Sequence, residues 1–266
     1  TNDAYYIPAS LLYKSFKTMS VLASGAVVRQ VLLSAGAEES QIMAKLQPIA
    51  ADMHALGNPW ISYSVYLNNS FLPGLLQLMI LLVTVFSIGS EMKRATSREW
   101  LRTADDSIII AITGKLIPQT IIFFSMGLLY LSLLYGYLHF PMHNSIWHMI
   151  FAMFLLVVAS QSFAVIIMCF APSLRIGLSV GGLVGVLSLS IAGFSFPVPA
   201  MYLPFQAISY VLPVRHYFLI YVDQALNGIP LYYSRVHYVA LILFAVASTP
   251  LLPRLKKALM RQVYVP

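Results

Sequence analysis

Long apolar runs separated by short polar segments make up most of this sequence. A helix needs about 20 apolar residues to cross a hydrocarbon core about 30 Å thick. Five runs come close to that length, at residues 71–90, 114–137, 146–170, 176–196 and 236–253. Lys115 is the only charged residue inside them. The pattern therefore predicts five membrane-crossing helices, which we name spans A to E in chain order.

The segment before span A has a different pattern. Its most apolar part, residues 21–37, has Arg29 near its centre, which favours soluble helices over a further span. Apolar residues alternate through residues 61–67, with the period of a β-strand. We therefore predict that residues 1–70 are the C-terminal part of an extracytoplasmic α/β domain, followed by a transmembrane domain at residues 71–266. Export of such a domain requires a further span before residue 1, which makes six in the intact chain.

Basic residues are distributed unevenly among the connections between spans. The A–B connection, counted with Lys115 at the start of span B, contains five Lys or Arg residues and the segment after span E contains four, whereas the B–C connection contains none. Alternating the sides gives ten basic residues on one face and two on the other. Because cytoplasmic loops carry the excess of Lys and Arg, we expect a cytoplasmic C-terminus and an extracytoplasmic segment 1–70.

The predicted fold class is an all-α polytopic membrane protein with an N-terminal extracytoplasmic α/β segment, and the composition supports the membrane assignment. Hydrophobic residues make up 59% of the chain and charged residues only 9%, against about 25% charged in soluble domains. We attribute the net charge of +7 to the Lys and Arg residues that orient a membrane protein in the bilayer, so we expect no nucleic-acid partner. The single cysteine, Cys169, excludes an intrachain disulfide framework.

Several kinds of catalytic or coupling chemistry are absent from the sequence. No Asp or Glu lies between residues 107 and 222, which argues against the intramembrane carboxylates of ion-coupled transport. The chain lacks a phosphate-binding loop of the form GxxxxGK[ST]. His139 and His143 flank Pro141 without a neighbouring carboxylate, so interfacial polar residues are favoured over a zinc site. We expect no enzymatic activity, no metal site and no cofactor bound by this chain.

One short segment, residues 91–107, is as charged as the rest is apolar. It contains eight of the chain's 25 charged residues. Thr96 and Glu99 have the spacing of a capping box, which predicts that a helix begins near Ser97. Asp105 or Asp106 is expected to cap the next helix.

The predicted helix in this charged segment has two kinds of face. Trp100, Leu101 and Ala104 form an apolar strip, whereas Arg98 and Arg102 share another face. An orientation signal would need only basic residues, yet four acidic residues balance the four basic ones. The mixture favours a surface for docking a protein, and the alternative is an amphipathic helix on lipid headgroups.

Small and polar residues interrupt two of the apolar runs. Span D carries Gly177, Gly181 and Gly185 on one helical face, a spacing that lets two helices approach closely in lipid. The partner helix lies either in the same subunit or in the second subunit of a dimer. Span C carries polar residues at 160–162, which predict contacts between helices or contact with a passing substrate.

The segment at residues 197–230 is apolar but cannot form one continuous helix. Four prolines interrupt its first part, at positions 197, 199, 204 and 213. Because the segment is also too apolar for an aqueous loop, we predict short helices that enter the outer leaflet and return. Irregular backbone at that depth would need protein or a water-filled cavity beside it. A helical hairpin lying at the interface is the alternative.

Two segments together resemble the permeases of type-2 ATP-binding-cassette exporters. The first runs from span A through the charged segment to Gly114, Lys115, Leu116 and Pro118. The second matches the family's pattern late in the chain, at Gly193, Phe196, Pro197, Met201, Pro204, Ile208, Ser209, Leu212, Pro213 and Tyr217. The resemblance covers about residues 60–260.

The resemblance implies a dimer with six spans per subunit, whose ATP and Mg²⁺ are bound by a separate cytoplasmic ATPase. A coupling helix at about 96–104 would dock on that ATPase. The implied coupling residues are Glu91, Arg98, Glu99, Trp100, Leu101 and Arg102, with Trp100 and Leu101 supplying the apolar contact. The implied outer-hairpin residues are Gly193, Pro197, Met201, Pro204, Pro213 and Tyr217. Other expected partners are a second permease subunit, membrane lipids and a periplasmic accessory protein.

The sequence thus predicts the membrane subunit of a bacterial ATP-driven exporter in the cytoplasmic (inner) membrane. Its substrate would be a drug, lipid, glycan or peptide, moved outward. Two alternatives belong to other classes. An ion-coupled secondary transporter would need a carboxylate in the span expected before residue 1, and a membrane scaffold would bind partners without transport.

Overall fold

A computed structural model of the chain describes residues 6–36, 62–194 and 196–261. Within these ranges every regular element is a helix. The α-helices are α1 (Tyr6–Ser34), α2 (Tyr63–Lys93), α3 (Ser97–Arg102), α4 (Ile108–Leu131), α5 (Ile146–Phe170), α6 (Leu174–Ile191), α7 (Leu203–Tyr210), α8 (Pro213–Tyr221), α9 (Leu231–Val246) and α10 (Leu252–Arg261). π-helical turns at Ser132–Tyr137 and Val222–Leu226 extend α4 and α8, and 3-10 turns at Val198–Ala200 and Thr249–Leu251 precede α7 and α10.

The predicted all-α membrane architecture is confirmed. Six helices among the described residues are long and apolar enough to cross a membrane. Five of them correspond to spans A to E: α2, α4 with its π-helical turn, α5, α6, and the helix that α9 and α10 form together. Helix α6 ends at Ile191, before the predicted end of span D at residue 196. The sixth, Leu11–Ser34, belongs to α1 and was not predicted as a span.

The N-terminal segment differs from its prediction in two ways. Where more than one soluble helix is expected, residues 6–34 form the single long helix α1. The expected strand at residues 61–67 is wrong, because residues 63–67 form the first turns of α2. Alternation over seven residues was too short a pattern to outweigh the long apolar helix that follows it, which extends by adding one hydrogen bond per residue. The rest of the predicted α/β domain, at residues 1–5 and 37–61, lies outside the described residues.

Helix α5 lies at the centre of the bundle. It packs against α2, α4, α8 and α9, and most of its length is buried. One hydrophobic cluster around it includes Met149 and Met153 with residues of α8, whereas another includes Met168 with residues of α3 and α10. The second cluster connects the charged segment to the membrane helices.

The glycine face of span D packs within the subunit, against α2. A Cβ atom on Gly185 would lie 2.3 Å from Cδ1 of Leu78, and one on Gly177 would lie 2.9 Å from Cγ1 of Val85. Across the same contact, Gln77 Nε2 donates to Ser188 Oγ at 3.0 Å. The glycine face therefore packs against a helix of the same chain, which is the first of the two predicted partners.

The polar residues of span C connect helices, as the first of their two interpretations expects. The Gln161 side chain accepts from Thr120 Oγ1 at 2.7 Å and donates to the Leu116 carbonyl at 3.3 Å. Ser162 Oγ donates to Ser248 Oγ at 2.9 Å. These bonds tie α5 to α4 and to the end of α9.

Candidate functional site

Helix α3 is a short element held between α2 and α4 by two sharp turns. Ala95, Asp105 and Asp106 have φ angles of 59°, 49° and 57°, in the left-handed region that non-glycine residues seldom adopt. Aspartate tolerates this region better than most residues because its short side chain bonds locally. The turns reverse the chain on either side of α3 and set the helix beside the ends of its neighbours.

Both capping predictions for this segment are wrong, although the predicted start of the helix is confirmed. Helix α3 begins at Ser97, but Thr96 has helical φ and ψ and makes no capping bond. Its hydroxyl donates instead to the Glu91 carboxylate. Helix α4 is capped by Ser107, which accepts from the Ile110 amide at 3.5 Å. Left-handed backbone at Asp105 and Asp106 leaves the extended N-cap conformation to Ser107.

Lys115 joins the three helices of the site. Its ammonium group lies 2.7 Å from Glu91 Oε1 on α2 and donates to the Ser87 carbonyl, also at 2.7 Å. The same nitrogen lies 4.3 Å from the centre of the Trp100 ring on α3, within the range of a cation–π interaction. The pair is only partly exposed, so solvent screens it less than a surface ion pair.

The apolar strip of α3 faces the protein's own core. Leu101 is fully buried and Ala104 is 7% exposed. They share a cluster with Leu255 and Leu259 of α10. The predicted contact of Leu101 with an ATPase is therefore wrong in this structure, because the side chain is covered by this chain. Trp100 is only partly buried, and it stays a candidate for a partner contact.

The opposite face of α3 is open. Arg98, Glu99 and Arg102 are exposed, as are Lys93 and Arg94 just before the helix. The predicted coupling residues thus divide into an inner set, Leu101 and Glu91, that fixes the helix and an outer set that a partner could reach. In the sequence, Lys115 stands out only as part of the motif at residues 114–118, and its role could not be predicted, since no pattern links it to Glu91, 24 residues away.

The segment at residues 197–230 forms a hairpin of short helices, as its prolines predict. Pro197 and Pro204 stand at the beginning of the 3-10 turn and of α7, and the Met201 carbonyl accepts from Gln206 Nε2 at 2.7 Å. Pro213 begins α8, and Tyr217 is buried with an exposure of 1%. Helix α8 is buried and α7 is largely exposed. How deep the hairpin lies in the leaflet stays a prediction.

A buried arginine holds the hairpin to the end of α6. Arg215 Nη1 donates to the Ala192 carbonyl at 3.2 Å and to Ser209 Oγ at 3.1 Å. Gly193 has a φ of 97°, and a Cβ atom there would lie 2.9 Å from Arg215 Nη1. Glycine is therefore required at this predicted hairpin position by both backbone conformation and space.

The neighbouring His216 ties the hairpin to α9. Its Nε2 lies 3.1 Å from the Tyr210 carbonyl, and its Nδ1 lies 3.4 Å from Nδ1 of His237. Burial lowers the pKa of His216, and the charge of Arg215 lowers it further.

A second contact with α9 involves Asp223. Its carboxylate accepts from Ser234 Oγ at 3.0 Å, and burial raises the pKa of the carboxyl group. No pattern in the sequence predicts these contacts.

A groove of about 490 Å³ opens between α4, α5 and α9. Its walls are apolar, and its polar lining includes Thr113, Thr120, Gln161 and Ser162. No charged side chain lines this groove. Among the described residues, no cluster of three or more His, Cys, Asp or Glu side chains could hold a metal ion.

Comparison with known proteins identifies a family. Residues 1–252 match the family model described as "ABC-2 family transporter protein". No curated protein and no solved structure matches the chain.

Proposed function

The chain belongs to the ABC-2 family of transporter proteins, and we propose that it is the transmembrane subunit of an exporter driven by a separate ATPase. Family membership makes it a membrane permease subunit of an ABC transporter. The proposal adds the outward direction, a bacterial inner membrane, a dimer of permease subunits and ATP hydrolysis with Mg²⁺ on a cytoplasmic partner. Its alternatives are ion-coupled transport and a membrane scaffold.

The observation that carries the proposal is that α3 has one face packed against this chain and one charged face exposed. One side is fixed to the bundle through Leu101 and through the Lys115 contacts. The other side exposes Arg98, Glu99 and Arg102. A short helix that is packed against the bundle on one face and exposes charged residues on the other can bind a partner protein. It can then transmit the partner's movement to the membrane helices.

The push would reach the membrane helices through Lys115. Closure of two ATPase subunits on ATP would displace α3. Because Trp100, Lys115 and Glu91 are in direct contact, α4 and α2 would move with it. Helix α2 packs along α6 through the glycine seam, so the displacement would extend to α6 and the outer hairpin.

The character of the groove supports an uncharged or amphipathic substrate. The groove between α4, α5 and α9 offers apolar walls with hydroxyl and amide groups. Binding pockets for such molecules combine apolar walls with a few placed polar groups. Among the four substrate classes expected from the sequence, a lipid or an apolar drug fits this lining best.

The test is recovery of the ATPase with the full-length permease. Tagged wild type is compared with Arg102→Glu, which reverses a charge on the exposed face of α3. Arg175→Glu is the matched control, since Arg175 is also exposed and lies in another predicted cytoplasmic turn. We expect the ATPase to co-purify with wild type and Arg175→Glu, and recovery to fall at least tenfold with Arg102→Glu.

Two results would contradict the proposal. Equal recovery with all three proteins would show that α3 is not the docking element. Failure to recover any ATPase with wild type would remove the energy source that the proposal assumes. Transport that collapses with an ionophore would then support the ion-coupled alternative.

A further inference from the structure

The C-terminal helix α10 is amphipathic, but its apolar face does not lie on lipid. Leu252, Leu255 and Leu259 are buried in the cluster that contains Leu101. Its basic residues Arg254, Lys257 and Arg261 are exposed. An amphipathic helix that rests on a bilayer inserts its apolar face. Here that face is used against α3 and α5, so α10 belongs structurally to the candidate coupling site.

The beginning of α3 caps the end of α10. Ser97 Oγ donates to the Leu259 carbonyl at 2.9 Å, and Ser97 is fully buried. Arg98 donates from Nε and Nη2 to the Met260 carbonyl at 3.1 and 3.0 Å. The last carbonyl groups of a helix have no partner within the helix, and cationic side chains are favourable there. These bonds therefore fix the relative position of the two helices.

A fourth hydrogen bond fixes the other end of α3. Lys256 Nζ donates to the Asp106 carbonyl at 2.5 Å. Asp106 follows α3 closely, whereas Ser97 begins it, so α10 holds the helix on both sides. Contacts at two ends resist rotation as well as separation, which a single contact would not.

Helix α10 is also joined to the membrane-crossing helix α9. Only residues 247–251, which end in the 3-10 turn Thr249–Leu251, separate them, and together the two helices form one of the helices that are long and apolar enough to cross a membrane. Ser248, at this junction, accepts from Ser162 of α5 at 2.9 Å. A displacement of α10 therefore reaches α9 without crossing a flexible loop.

We propose that α10 moves together with α3 when the ATPase displaces α3, with Ser97 and Arg98 as positioning residues that fix α3 to α10. A push on α3 then moves α9 through α10, in addition to α2 and α4 through Lys115. The inference rests on the proposed function and deepens it, since it assigns a route to the last membrane helix. Ser97 is covered by this chain and cannot touch a partner directly, which separates its role from docking.

The experiment uses the full-length permease purified with its ATPase and placed in lipid vesicles. Ser97→Ala removes the hydroxyl donor, and Ser97→Thr keeps it as the conservative control. We expect all three proteins to recover the ATPase equally. We expect the permease-stimulated rate of ATP hydrolysis to fall at least threefold with Ser97→Ala and to stay near wild type with Ser97→Thr.

A distance measurement separates positioning from general stability. The single cysteine, Cys169, is replaced by alanine, and spin labels are attached at Thr103 and Val246, both exposed. In wild type we expect the same narrow distance distribution with and without a non-hydrolysable ATP analogue, because α3 and α9 move together. In Ser97→Ala we expect the distribution to broaden and to shift with the analogue.

The outcomes distinguish this inference from the proposed function. If wild type recovers the ATPase but Ser97→Ala has unchanged hydrolysis and unchanged distances, the inference is overturned and the proposed function stands. A distance that shifts with the analogue in wild type also overturns the inference, because the two helices then move separately. If wild type recovers no ATPase, the proposed function fails and the route through α10 fails with it.

Discussion

Leu101 and Arg102 are adjacent in the chain but have opposite surroundings. Leu101 is fully buried among residues of α10 and α5, whereas Arg102 is exposed. Replacing a buried leucine by alanine removes contacts and leaves a cavity, at a cost of about 2–5 kcal/mol. Surface substitutions usually stay within about 0.5 kcal/mol.

We therefore expect Leu101→Ala to lower the midpoint of thermal denaturation by several degrees and Arg102→Ala to leave it unchanged. The measurement is thermal unfolding of the purified permease in detergent, followed by co-purification of the ATPase at a temperature where both variants are folded. Arg102→Ala should weaken recovery without changing stability. A stable Leu101→Ala protein would show that α3 is not packed as described.

Single residues also show what the sequence could reveal about the site. The position of α3 and the exposure of Arg98 and Arg102 follow from periodicity and charge. Which partner the apolar strip contacts could not be predicted, because an amphipathic helix has the same pattern against its own chain and against another protein. Leu101 was assigned outward for this reason, and only the position of α10 corrects it.

At the scale of the helix pair, α2 and α6 approach through glycine, and the space differs from one glycine to the next. A Cβ atom on Gly185 would lie 2.3 Å from Cδ1 and 3.2 Å from Cα of Leu78. A Cβ atom on Gly181 would have its nearest neighbour at 3.7 Å, an ordinary contact. The two positions are one turn apart on the same helix, so each controls for the other.

We expect Gly185→Ala to destabilise the permease by about 1–3 kcal/mol, the usual cost of overpacking. Gly181→Ala should be neutral or slightly stabilising, because alanine favours helix more than glycine does. Unfolding of both variants in detergent measures the difference. Equal stability of the two would show that α2 and α6 are farther apart than in this structure.

At the scale of whole helices, long apolar runs predict the membrane helices correctly, whereas the short alternating pattern does not. Spans A to E were recovered because lipid requires long apolar helices with satisfied backbones. Alternation at residues 61–67 misled because a helix entering the bundle can also bury scattered residues, here Val65 and Tyr66. The bond from Tyr66 to the Phe194 carbonyl, at 3.2 Å, joins positions that no local pattern relates.

At the scale of the whole molecule, helix α1 decides how many times the described chain crosses the membrane. The sequence prediction places residues 1–70 outside as a soluble segment. In the structure, apolar side chains such as Leu11, Met19 and Val31 are exposed by 61%, 71% and 60% and point to different sides of the helix. A helix that is apolar on several sides is typical of a membrane environment.

Charge gives α1 a direction if it crosses the membrane. Lys14 and Lys17 lie near its beginning and Arg29 lies near its end, so the excess of positive residues favours a cytoplasmic start. The helix would then run outward, and α2 would return inward to the charged segment before α3. This direction agrees with the orientation that the other connections predict.

We therefore predict that α1 is a membrane span, which replaces the soluble assignment, and cysteine accessibility in intact cells tests it. In a Cys169→Ala background, Met19→Cys should resist a membrane-impermeant maleimide until the protein is denatured. Tyr202→Cys, 83% exposed in the hairpin, should react from outside, and Lys257→Cys only after the cells are permeabilised. Reaction of Met19→Cys in intact cells would instead place α1 in the extracytoplasmic space, because a residue this exposed reacts wherever water reaches it.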